Sequence, residues 1–119
     1  MGDDENIGGL CQCGDVQYIV PDIPVEIANC HCTICQRVHG RPYVRFAKYP
    51  KTSVRFFGLK SVNTHRTSNR AVRGYCKNCH TYLYMMYDNS PNVWLVTENF
   101  NFPVDDIEHY NIYTDTAVI

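Results

Sequence analysis

The sequence has 119 residues, 45% of them hydrophobic and 19% charged, a composition that fits one small globular domain and excludes both a large multi-part enzyme and a disordered tail. Its formal net charge of -1 hides a segregation: residues 1–36 hold six acids and no Lys or Arg, all eleven basic residues lie in 37–77 with no acid among them, and 78–119 again hold six acids. That basic middle is either a surface for an anionic ligand or a set of strands laid beside acidic flanks, and the near-neutral total argues against nucleic acid as the partner.

The chain starts with Met1-Gly2-Asp3-Asp4-Glu5, an acidic leader over residues 1–6 ahead of a domain expected over 7–119. Apolar stretches run to only a few residues and the start is acidic, so neither a targeting presequence nor a membrane segment is expected. Alternating or β-rich stretches bounded by turn residues predict strands at 16–20, 25–29, 43–47, 54–57, 71–75, 82–87, 93–97 and 110–113. The run Tyr82-Leu83-Tyr84-Met85-Met86-Tyr87 is apolar on both faces and predicts a central strand whose aromatics belong to the core. Helix is expected only at 34–38, with Thr33 as N-cap and Gly40 as the stop, its amino end facing the central cysteines. The fold class is therefore mainly β, with antiparallel sheets and at most one short helix.

Seven cysteines are an odd number, so a fully paired disulfide framework would leave one thiol over. They form three clusters: Cys11 and Cys13; Cys30, Cys32 and Cys35; and Cys76 and Cys79. In an extended segment positions i and i+2 share a face, and a two-residue knuckle folds i and i+3 together, so each cluster can turn its thiolates toward one metal ion. Four thiolates close a structural zinc and three leave an open position, which divides seven into four plus three. Cys11 and Cys13 joined with Cys76 and Cys79 would staple distant segments and leave the central triple open. Spacing also admits a second pairing, with Cys11 and Cys13 closing over two central cysteines and His80 joining Cys76 and Cys79. His31, between two ligands, is expected to point away from the metal, while His39, His65 and His109 stand alone and read as surface or core residues.

The blocks Gly8-Gly9-Leu10-Cys11-Gln12-Cys13-Gly14-Asp15-Val16-Gln17-Tyr18, Cys30-His31-Cys32-Thr33-Ile34-Cys35 and Arg73-Gly74-Tyr75-Cys76-Lys77-Asn78-Cys79 resemble the three signature blocks of the glutathione-dependent formaldehyde-activating enzyme family, which also includes centromere protein V. The resemblance runs from about Ile7 to Tyr113. It implies a β-tent fold and two zinc ions per chain, a structural one on Cys11, Cys13, Cys76 and Cys79 and a catalytic one on Cys30, Cys32 and Cys35. Four features depart from the family pattern: His80 stands where Gly usually follows the last cysteine, Leu10 separates the glycine pair from Cys11 where Gly often directly precedes it, Gln36 stands where Arg is common, and Phe102 where an acid commonly precedes the late proline.

A three-thiolate zinc carries a formal charge of -1 and is a weak generator of hydroxide, but a soft substrate thiol binds it as thiolate. This suits a carbon–sulfur lyase joining a thiol to a small carbonyl, with glutathione and formaldehyde as the pair that the resemblance implies. Arg37, Arg41 and Arg73 are the arginines nearest in sequence to the clusters and become candidates for the carboxylates of glutathione. The competing reading is a non-catalytic, zinc-stabilised binding module that uses its basic 37–77 segment. A methionine sulfoxide reductase is disfavoured, because that chemistry needs a free reactive cysteine and every cysteine here is assigned to metal. Reduced cysteines and the lack of a targeting segment point to the cytoplasm, with the nucleus as the other compatible compartment.

Overall fold

The computed structural model describes residues 7–24, 26–31, 33–40 and 43–112, with residues 33–35 described in backbone alone. Ten strands and one α-helix follow in the order β1 (Ile7–Leu10), β2 (Gln17–Val20), β3 (Glu26–Cys30), α1 (Thr33–His39), β4 (Val44–Pro50), β5 (Arg55–Phe57), β6 (Val62–Arg66), β7 (Ala71–Cys76), β8 (Tyr82–Tyr87), β9 (Asn92–Val96) and β10 (Glu108–Ile112). A small sheet has the order β1-β2-β5, and a seven-stranded sheet has the order β10-β3-β4-β9-β8-β7-β6. This is the mainly β class expected, with β8 in the interior of the large sheet. The one parallel pairing among the described strands, β3 with β10, departs from an all-antiparallel architecture. Of the predicted strand positions, Val25 and Tyr113 lie outside the described residues.

Two strands carry no sequence signal. β1 contains Gly8 and Gly9, which depress a strand reading, yet the close approach of β2 demands them. A Cβ on Gly8 would come within 1.9 Å of the Tyr18 carbonyl oxygen, and one on Gly9 within 2.3 Å of the Tyr18 ring. β6 is an exposed edge strand, Val-Asn-Thr-His-Arg, without a buried side to impose alternation.

Directly paired residues share a face, so the pairs Cys30 with Val44 and Ala28 with Phe46 put these four side chains on one side of the large sheet. There Cys30, Val44 and Phe46 pack with Ala71, Met85 and Val96. Ile27, Ala47, Leu83, Val93 and Leu95 belong to a second cluster, which Val16, Tyr18 and Val20 of the small-sheet segment complete. Each fully buried side chain of this size stabilises the fold by about 1.5–3 kcal/mol. Tyr18 is fully buried and satisfies its hydroxyl by donating to the Val96 carbonyl at 3.1 Å, and burial pushes its phenol well above the usual range. No described helix is long and apolar enough to cross a membrane.

Candidate metal centre and the central cysteines

β1 ends just before Cys11, and the chain turns back at once into β2. The turn is closed by Gly14 N–H donating to the Cys11 carbonyl at 3.0 Å, and Cys11 N–H donates to Val16 O at 3.0 Å. Cys11 and Cys13 therefore meet through a turn rather than an extended segment. At the far end, β7 runs into Cys76, and a knuckle returns to β8 with His80 N–H donating to Cys76 O at 2.7 Å and Cys76 N–H to Thr81 O at 3.0 Å. His80 takes the left-handed conformation at φ 65°, as the position of a usual glycine requires.

These two turns bring the sulfurs of Cys11, Cys13, Cys76 and Cys79 within 4.8 Å of one another. The Cys11–Cys13 and Cys13–Cys76 Sγ separations are both 3.6 Å. A tetrahedron with metal–sulfur bonds of about 2.3 Å has edges of about 3.8 Å, whereas a disulfide is about 2.05 Å long. The geometry is thus that of a metal cage, and the cluster can hold one ion; four thiolates suit Zn2+. Of the two pairings that spacing admits, the four-cysteine one is formed, and His80 is not part of the set.

Hydrogen bonds prepare the sulfurs for charge. Val16 N–H donates to Cys11 Sγ at 3.3 Å, and the Thr81 hydroxyl, itself accepting from Gln12 N–H at 3.2 Å, lies 3.0 Å from Cys79 Sγ. Burial opposes ionisation of Cys79, but donation from Thr81 and the backbone outweighs it and draws the thiol down to about 5. At Cys13 the Asp15 backbone favours the thiolate, while desolvation and the three neighbouring sulfurs prevail and push the thiol up to about 12. Four sulfurs this close resist carrying more than one charge by themselves, and a dication removes that resistance. Asn78 also donates its side-chain amide to the Asp15 carboxylate, tying the two turns together outside the cage.

Cys30 ends β3 and is fully buried in the other core cluster, away from the four-cysteine cage. Cys32 lies outside the described residues; Cys35 is placed by backbone on α1. His31 turns to the side opposite Cys30, where its Nε2 meets Asn111 Oδ1 at 2.9 Å and its ring packs on Tyr43 at 5.0 Å. Arg37 is exposed on α1, and Arg41 lies outside the described residues. Arg73 is 1% exposed; its Nε donates to Thr67 Oγ1 at 3.3 Å, its Nη1 to His39 Nε2 at 3.0 Å, and its guanidinium lies 5.9 Å from the Phe46 ring centre. A cleft of about 550 Å³, lined by Arg45, Phe100, Phe102 and Asp105 among others, opens on the other face of the sheet from Cys30, since Arg45 pairs with Asn29.

The charge segregation is partly resolved by pairing. Arg45 meets Asp105 at 3.3 Å, and Arg66 meets Asp88 through both carboxylate oxygens at 3.0 and 3.1 Å. Acids of the last third thus neutralise basic residues of the middle.

A family model described as "Glutathione-dependent formaldehyde-activating enzyme" matches residues 6–113. The chain belongs to that family. A protein of Schizosaccharomyces pombe named as an uncharacterized lyase is 30% identical over 87 residues, which cover 73% of this chain and 61% of that protein. The crystal structure of a Rhodobacter sphaeroides protein shares the fold with a TM-score of 0.69 at 16% identity, covering 87% of this chain and all but 1% of that one (99%).

Within this family chain, the four clustered cysteines are one of the two sets that spacing admitted, and what surrounds them was missed. Thr81, which hydrogen-bonds Cys79, could have been found as the hydroxyl next after the knuckle. The His39–Arg73 contact joins residues 34 apart and had no local signal.

Proposed function

We propose that the protein is a zinc-dependent carbon–sulfur lyase acting on a thiol adduct of the S-hydroxymethylglutathione type. The observation that carries this reading is the four-cysteine cage: it takes Cys11, Cys13, Cys76 and Cys79, so that of the seven cysteines in the sequence Cys30, Cys32 and Cys35, all within the family match, are left for a second site. The lyase name of the yeast relative supports the reaction class. We assign the structural zinc to the cage and the catalytic zinc to the triple.

A zinc on three thiolates supplies, when bound, a soft position at which a substrate thiol ionises at neutral pH. In the forward direction the sulfur adds to the carbonyl carbon of formaldehyde, a carbon–sulfur bond forms, and the thiol proton ends on the carbonyl oxygen. Cleavage reverses each step, so no oxidant or reductant is needed. Val44, Phe46 and Met85 make the floor around Cys30 apolar and keep bulk water from it. Arg37, and Arg41 six residues after the last cysteine of the triple, are assigned to the glutathione carboxylates.

The binding-module reading needs a free basic surface, and two residues of the 37–77 segment speak against it: Arg73 is buried and Arg66 is paired with Asp88. The test of the lyase reading is the rate of interconversion of glutathione, formaldehyde and their adduct followed by exchange NMR. Wild type should accelerate it and Cys35→Ser should not; a wild-type rate equal to the uncatalysed background overturns the substrate assignment.

A further inference from the structure

We infer that Arg73 is a positioning residue that clamps α1 onto the sheet through His39, setting the distance between Cys35 and Cys30, and that it is not a substrate contact. The consequence for catalysis rests on the reading of the central triple given above; the clamp itself does not.

α1 has seven residues, well short of the roughly 12–15 that an isolated helix needs, so its place depends on what it touches. Its end is marked by Gly40 at φ 65°. At its midpoint, Gln36 Nε2 donates to the His31 carbonyl at 2.8 Å. At its last residue the His39 ring lies 5.0 Å from Tyr82 and 6.2 Å from Phe46, edge-on to the latter, and accepts from Arg73 at 3.0 Å. Arginine can only donate, so His39 Nε2 is the acceptor in this contact.

Arg73 reaches this point from the middle of β7, where its neighbours are His65 on β6 and Met85 on β8. Its partners among the described residues include Thr67 after β6, Phe46 on β4 and His39 on α1. Phe46 packs in the same cluster as Cys30, and Cys35 lies one helical turn before His39. The guanidinium thus bridges the strand side of the triple to its helix side. At 1% exposure it would have to abandon these partners to meet a carboxylate of a bound tripeptide.

The test compares Arg73→Met and His39→Leu, which break the clamp, with His39→Gln, whose side-chain oxygen still accepts from Arg73. The first readout is amide hydrogen exchange. Exchange in α1 should quicken at least tenfold in Arg73→Met and His39→Leu, with less effect in His39→Gln, while β8 and β9 change less than threefold. Unchanged α1 exchange in both breaking variants overturns the clamp, and so does equal loss of protection in all elements. If Arg73→Met does not fold, His39→Leu and His39→Gln make the same comparison. The second readout is the kinetic split: a clamp lowers kcat and leaves KM for glutathione within about twofold, whereas a rise in KM alone, without faster α1 exchange, makes Arg73 a substrate contact. A wild type without lyase activity whose α1 still loosens in the variants would retain the clamp and reject the lyase reading, so the two failures are told apart.

Discussion

The sulfurs of Cys13 and Cys76, 63 positions apart in the sequence, stand 3.6 Å from each other. Cys13 lies in the turn between β1 and β2, in the small sheet, and Cys76 at the end of β7 in the large one. One ion in this cage therefore ties the two sheets together at one end of the core that both of them line.

Breaking that tie should destabilise the whole molecule. Cross-linking a loop of this length is worth about 4 kcal/mol by chain entropy, so Cys76→Ser should lose at least about 2 kcal/mol. Denaturant unfolding checks this, and stripping the metal with a strong chelator should mimic the substitution in wild type. Equal midpoints before and after metal removal would mean that the cage is not a staple.

His80→Gly should retain the metal of the cage and change stability by no more than about 1 kcal/mol, because relief of the left-handed strain is offset by the greater freedom of glycine in the unfolded chain. Metal analysis of the purified variant beside Cys79→Ser is the check. Loss of metal in His80→Gly would restore the alternative ligand set with His80.

Gly8→Ala should be severe although alanine is a small residue. The added carbon would meet a backbone oxygen of β2 at 1.9 Å, and the strands must part to admit it. We expect a loss of about 2 kcal/mol or more, read as a lower denaturant midpoint. A midpoint within error of wild type would show that β1 and β2 are free to separate.

The Arg66–Asp88 pair supplies a pH dependence of known sign. Hydrogen bonding from Arg66 holds the Asp88 carboxyl below its ordinary value. A carboxyl depressed in the folded state stabilises above its unfolded value of about 3.9, and that contribution is lost as pH falls through the folded value. Wild type should therefore exceed Asp88→Asn by a small margin at neutral pH, small because the pair is solvent-exposed, and the margin should vanish in acid. Thermal unfolding of both proteins across pH 2–7 tests it; a margin that grows toward acid contradicts the pairing.

What was legible in the sequence is what short spacing controls. Two cysteine pairs at turns, a six-residue apolar strand at 82–87, and a helix bounded by Gly40 all follow from neighbours within a few residues. The four-cysteine cluster was one of two pairings that ligand number and spacing allowed, although the local geometry at Cys11 and Cys13 is a turn. β1 was hidden because Gly8 and Gly9 are there for the sake of Tyr18, ten and nine residues away, and β6 because an exposed edge imposes no pattern. The parallel pairing of β10 with β3 joins residues 82 apart, as Glu108 with Glu26, and no local rule reaches that far. Arg73 became a candidate for a glutathione carboxylate by its proximity to Cys76, and only the fold shows that β7 turns it inward onto Phe46.

The most direct test of the account is the zinc count per chain by native mass spectrometry, with and without glutathione, in wild type and Cys35→Ser. The account predicts two zinc ions in wild type, a mass increase of one glutathione on the two-zinc species, and one zinc with no glutathione adduct in Cys35→Ser. A single zinc that ignores both glutathione and the substitution would contradict it, leaving the four-cysteine cage as a staple and the central triple without a metal.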